Sequence, residues 1–118
     1  MNAVEMNRRL IECARNVEEA QTNLEAQTIA YAESERRYRQ AKALAYLKAP
    51  GKTVAEKEAT AEIEHGIGDL RFARDVAEGR KNAALEAVRS RRAILSAEQT
   101  LTKLVTVEAE FTRTGPAG

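Results

Sequence analysis

Tryptophan is absent from this chain of 118 residues, which holds one cysteine, one histidine and two prolines. Cys13 has no second cysteine to pair with, which suits a reducing compartment. His65 has no second histidine or cysteine cluster at ligand spacing, so a metal site is not expected. Aromatic residues make up only 4% of the chain, which argues against a thick mixed core. No run approaches the ~20 apolar residues of a membrane span. The start, Met1-Asn2-Ala3-Val4-Glu5, lacks the charged-then-apolar pattern of a secretory signal. A cytoplasmic protein without membrane contact is the expectation. The formal net charge of +1 gives no global basic field, so any attraction to nucleic acid must come from local clusters.

What remains is alanine, charge and a seven-residue rhythm. Leu10, Val17, Leu24, Tyr31, Tyr38 and Ala45 recur every seventh residue, and Met6, Cys13, Ala20, Gln27, Ser34 and Ala41 form the companion seam. Ile63, Leu70, Ala77 and Ala84 repeat at the same interval further on. Between the two stretches lies Ala49-Pro50-Gly51-Lys52-Thr53. Proline lacks the amide donor and keeps the preceding residue out of the helical region, while glycine permits positive φ. The pattern predicts an all-α fold: a long antiparallel helical hairpin, coiled-coil-like, with helix 2–48, turn 49–52 and helix 53–112, then a disordered tail at 113–118. Folding back at Pro50 sets Tyr38 against Ile63, Tyr31 against Leu70 and Leu24 against Ala77. Thr53-Val54-Ala55-Glu56 reads as a capping box opening the second helix.

Gly66, Gly68 and Gly79 interrupt that helix, marking either a kink or a close approach of another helix. Leu101, Leu104, Val105 and Phe111 form a helical extension that runs beyond the start of the first helix. That segment either turns back after Ser96 or packs on other subunits, and the second is favoured. Alanine has high helix propensity but buries little area, so self-association is expected to supply the missing burial.

The charges fall in blocks. Residues 16–35 carry Glu18, Glu19, Glu25, Glu33 and Glu35 and no base, facing Arg71, Arg74, Arg80 and Lys81. Near the turn Arg36, Arg37, Arg39 and Lys42 face Glu58, Glu62 and Glu64. With Lys48 and Lys52, those four bases form a cluster that is either a solvated face or a phosphate-contacting surface. At the open end Arg8, Arg9 and Arg15 approach Arg89, Arg91 and Arg92. Tyr46, off the seam among bases, is either packed or a platform for an unpaired base.

Gly51-Lys52-Thr53 imitates the end of a phosphate-binding loop, but Tyr46 stands where that motif needs its first glycine. Glu62, Glu64 and Asp69 imply no cleft for acid–base work. An enzyme is not expected, nor a cofactor.

Tyr31-Ala32-Glu33, Tyr38, Lys42-Ala43, Tyr46-Leu47, the run from Gly51 to Glu58 and the basic, serine-containing segment 85–96 together resemble the UvsY-like recombination mediators of bacteriophages. The resemblance implies a small helical protein assembled as a ring of several subunits. It implies binding to single-stranded DNA and help for a RecA-like recombinase in replacing single-strand-binding protein. Carried onto this chain, Arg36, Arg37, Arg39, Lys42, Lys48 and Lys52 would contact phosphates. Leu101, Leu104, Val105 and Phe111 would make subunit contacts. For a phage protein the location is the host cytoplasm. The alternatives are a coiled-coil adaptor or virion assembly protein indifferent to DNA, and a small helical inhibitor of a host enzyme.

Overall fold

The computed structural model describes residues 2–49, 51, 53–64 and 66–114. Pro50, Lys52, His65 and the tail from residue 115 lie outside the described residues. The protein is all-α with three helices, α1 (Ala3–Leu47), α2 (Val54–Glu64) and α3 (Ile67–Thr114). Long α1 and α3 pair antiparallel and the short α2 stands between them in sequence. Two compact units result, Asn23–Ala84 and Met1–Thr22 with Leu85–Gly118.

Local chemistry sets the helix starts. The Asn2 side-chain oxygen accepts from the Glu5 amide at 2.8 Å, an N-cap for α1. The Thr53 hydroxyl accepts from the Glu56 amide at 3.2 Å, the forward half of the capping box expected for α2. Gly51 (φ 82°) and Gly66 (φ 65°) take left-handed conformations before α2 and after it.

Gly66 corrects the two-helix expectation. The second helical stretch is not continuous through 53–112: it stops at Glu64 and restarts at Ile67. A left-handed residue cannot propagate a right-handed helix, so of the two readings of these glycines Gly66 marks a break. Gly68 and Gly79, by contrast, lie within α3.

In the unit spanning 23–84, Tyr38, Ala45, Ala61 and Ile67 form the core, with Ala41 and Leu70 packed against it. Ile67 is 1% exposed whereas Ile63 is 84% exposed. The expected Tyr38–Ile63 contact is therefore replaced by Ala61 and Ile67. Ala61 and Ile63 lie about 200° apart on a helix, so only one can face inward.

The register also differs. Lys81, not Leu70, sits over Tyr31, with its ammonium 4.3 Å from the ring centroid. The short α2 pairs with α1 on its own account, through Glu58 with Lys42 and Tyr46, so α3 meets α1 further from the turn than one continuous helix would. Arg71 links the elements, donating to the Tyr38 hydroxyl at 3.4 Å and pairing with Glu62.

In the unit made of both chain ends, Val17 and Val88 are buried, and Leu10, Cys13, Leu95 and Glu98 are half-buried along the seam. Arg9 and Glu98 pair at 2.5 Å. The expected meeting of Arg9 with arginines is thus resolved by an acid. Ala3 and Met6 share a shallow cavity with Val105, Ala109 and Arg113. The C-terminal segment therefore neither turns back after Ser96 nor overruns α1, and residues 113 and 114 belong to the helix.

Candidate nucleic-acid interface

Within residues 23–84 the seam tyrosines point inward and gather cations. Tyr38 is buried, and the Arg74 guanidinium lies 4.5 Å from its centroid, with Arg71 at 5.8 Å on the same ring. Lys42 stands between Tyr38 and Tyr46, 5.8 and 5.7 Å from the two rings, and pairs with Glu58 at 3.5 Å. The Tyr46 hydroxyl donates to Glu58 at 3.0 Å, and Lys57 lies 6.0 Å from its ring. Tyr46 is thus half-buried and held by its neighbours, a packed residue and not an open platform.

These contacts set the proton affinities. A hydrogen bond from Arg71 pulls the Tyr38 phenol below its ordinary value; burial opposes this, and the charges of Lys42, Arg71 and Arg74 add to it. Burial and the neighbouring Glu35 and Glu78 push Tyr31 up. Tyr46 is raised by burial and by its bond to Glu58. Lys42 is raised by Tyr38 first, and then by Tyr46 and Glu58 against burial.

The expected DNA-binding residues divide accordingly. Arg39 pairs with Glu35 one turn back at 2.8 Å and Lys42 is committed to the tyrosines and Glu58. Arg36, Arg37 and Lys48 are exposed, and none is in an ion pair among the described residues. Of the acids expected opposite this cluster, Glu58 meets Lys42 and Glu62 turns to Arg71. Arg36 and Arg39 border a shallow depression of 330 Å³ with Ala32, Glu35 and Gln40. Lys52 lies outside the described residues.

One element escaped the sequence reading. Phe72 is 70% exposed at the edge of a groove of 360 Å³ between α1 and α3, lined by Gln27, Ala30, Ser34, Ala73, Val76 and Arg80 among others. Small residues on both helices leave this groove open. Arg37 lies three residues beyond Ser34, on the same face of α1. Arg80 is exposed and has no ion-pair partner among the described residues. An exposed aromatic ring, a groove floored by small side chains and two unpaired guanidinium groups therefore share one region. The one sequence signal was that Phe72 is a large aromatic two residues past the seam residue Leu70 and so falls off the seam.

Of the expected oligomerisation residues, Leu101, Leu104 and Phe111 are exposed on α3, while Val105 is half-buried beside Ala3 and Met6. Among the described residues no three acids, histidines or cysteines gather as metal ligands, and no helix is long and apolar enough to cross a membrane. No protein-family model, curated protein or solved structure matches the chain.

Proposed function

We propose that this protein is a non-catalytic, single-stranded DNA-binding recombination mediator of the UvsY-like kind its sequence resembles. The observation that carries the reading is Phe72, which lies open to solvent beside a groove with Arg80 in its wall and with Arg37 three residues beyond its Ser34 on α1. Aromatic faces stack on any base, and arginines beside them neutralise phosphates, so the combination suits unpaired strands without sequence preference. The committed cations, Lys42, Arg71, Arg74 and Lys81, hold the fold; Arg36, Arg37 and Arg80 serve the ligand. Near-neutral net charge makes a single copy a weak binder, and several copies on one strand supply the affinity. Bound in this way, the protein would help a RecA-like recombinase displace single-strand-binding protein.

Fluorescence anisotropy of a labelled single-stranded oligonucleotide tests the proposal. Salt-sensitive binding is expected, and Phe72→Ala with Arg37→Ala should weaken it while helicity is unchanged. Each stacked base contributes about 1–3 kcal/mol, so the aromatic substitution alone should be visible. No binding at low salt by well-folded protein would remove the DNA reading. The second reading is an assembly adaptor, favoured by the exposed apolar residues of α3; it is indifferent to DNA and would be left standing by that outcome.

A further inference from the structure

In the unit formed by the chain ends, α3 carries two apolar seams. The inner one, through Val88, Leu95, Glu98, Thr102 and Val105, is buried or half-buried. A second, offset by about 100° on the helix, repeats the same three-and-four spacing. Its large members are Ile94, Leu101, Leu104 and Phe111, all exposed, Leu104 by 62% and Phe111 by 67%. Its small members, Ala87, Ser90 and Ala97, alternate with them, and exposed Val107 borders it. Glu108 is its one charged position.

We propose that this outer seam is an isologous interface that takes a second copy of the same chain, α3 against α3, antiparallel. The occupant is identified by self-complementarity. In an antiparallel two-fold pairing, one register engages every seam position from 87 to 111. It sets Ala97 against Leu101 and Ile94 against Leu104, so that small meets large at the centre and both large pairs are covered. At the ends it sets Ala87 against Phe111 and Ser90 against Glu108. The only acid in the seam thus falls beside Arg91 of the second copy. Glu108 and Arg91 each lack an ion-pair partner among the described residues. A two-fold interface closes on itself, and this one gives a dimer where the resemblance implied a ring. Four large apolar side chains from each copy leave water together, without drawing on the DNA groove.

Sedimentation across a concentration series tests it. The parent protein should show a monomer–dimer equilibrium, and Leu104→Glu should raise the dimer dissociation constant on the order of a hundredfold, since each dimer loses two buried leucines. Helicity by circular dichroism should be unchanged, because Leu104 is exposed in the monomer. Glu108→Arg should also weaken the dimer, and adding Arg91→Glu should restore it. Orientation is read with Cys13→Ser proteins: Ala97→Cys mixed with Leu101→Cys should cross-link on oxidation faster than either alone. Faster self-linking of Ala97→Cys, a ring mass insensitive to Leu104→Glu, or a monomer at all concentrations would each overturn the proposal.

Discussion

The guanidinium of Arg74 stacks over the ring of Tyr38, 4.5 Å from its centroid, and Lys81 repeats the arrangement over Tyr31 one heptad away. Cation–π contacts contribute about 0.5–1 kcal/mol at exposed sites and about 2 kcal/mol when desolvated. Tyr38 is buried and Tyr31 half-buried, so Arg74→Ala should destabilise more than Lys81→Ala. Urea unfolding should give about 1–2 kcal/mol for the first and under about 1 kcal/mol for the second. Equal losses would mean that the stacking over Tyr38 adds nothing.

The three tyrosines should titrate apart. Tyr38 is lowered by its bond from Arg71 and the surrounding cations, whereas Tyr31 and Tyr46 are raised. A depressed folded value stabilises the fold above the unfolded tyrosine pKa, ~10. That contribution is lost as pH falls through the folded value, so it is absent at neutral pH. For Tyr31 the sign reverses: its contribution is present below the unfolded pKa and lost as pH rises through the raised folded value. Tyrosinate absorbance should therefore appear at lower pH in a Tyr31→Phe/Tyr46→Phe protein than in Tyr38→Phe.

Glycines at two positions should respond oppositely. Gly66 has φ 65°, so Gly66→Ala should destabilise by about 1–2 kcal/mol through the left-handed conformation alone. Gly79 sits inside α3 with open space where a Cβ would be, so Gly79→Ala should stabilise by about 1 kcal/mol. Thermal unfolding of both variants checks the pair.

The α2 cap should be measurable alone. Thr53→Ala removes the acceptor of the Glu56 amide and should lose about 1 kcal/mol. Thr53→Ser should retain most of it. Helicity with temperature distinguishes the two.

Salt dependence separates ligand-facing arginines from structural ones. Removing a single-strand phosphate contact should reduce the slope of log K against log salt by about 0.7. Arg36→Ala and Arg37→Ala should each do so. Arg39→Ala should not, because Arg39 already pairs with Glu35.

The heptads of α1 were legible in the sequence because Leu10 through Ala45 repeat without interruption, and burial follows both expected seams. The Thr53 cap was legible because it depends on four consecutive residues. The register was not. Reading Ile63 as a seam residue assumed one continuous helix, and the left-handed φ of Gly66 resets the phase there. Arg74 and Lys81, seven apart like Tyr38 and Tyr31, held the correct pairing, but charged residues are discounted when apolar periodicity is counted. Phe72 was missed, and Arg80 was read only as a partner for acids, for the related reason that a groove is a property of two helices, and neither helix locates it alone.

The described core holds no buried polar or charged residue, and many of its members are alanines. Where alanine meets alanine, a slip of one heptad costs little packing, so the register rests on the larger core residues, Tyr38 and Ile67 among them, and on the cations stacked on the tyrosines. Tyr38 would then come under Lys81, and Arg74 would face Ala45, which has no ring to receive it. The stacked cations therefore work as detents between the alanine layers.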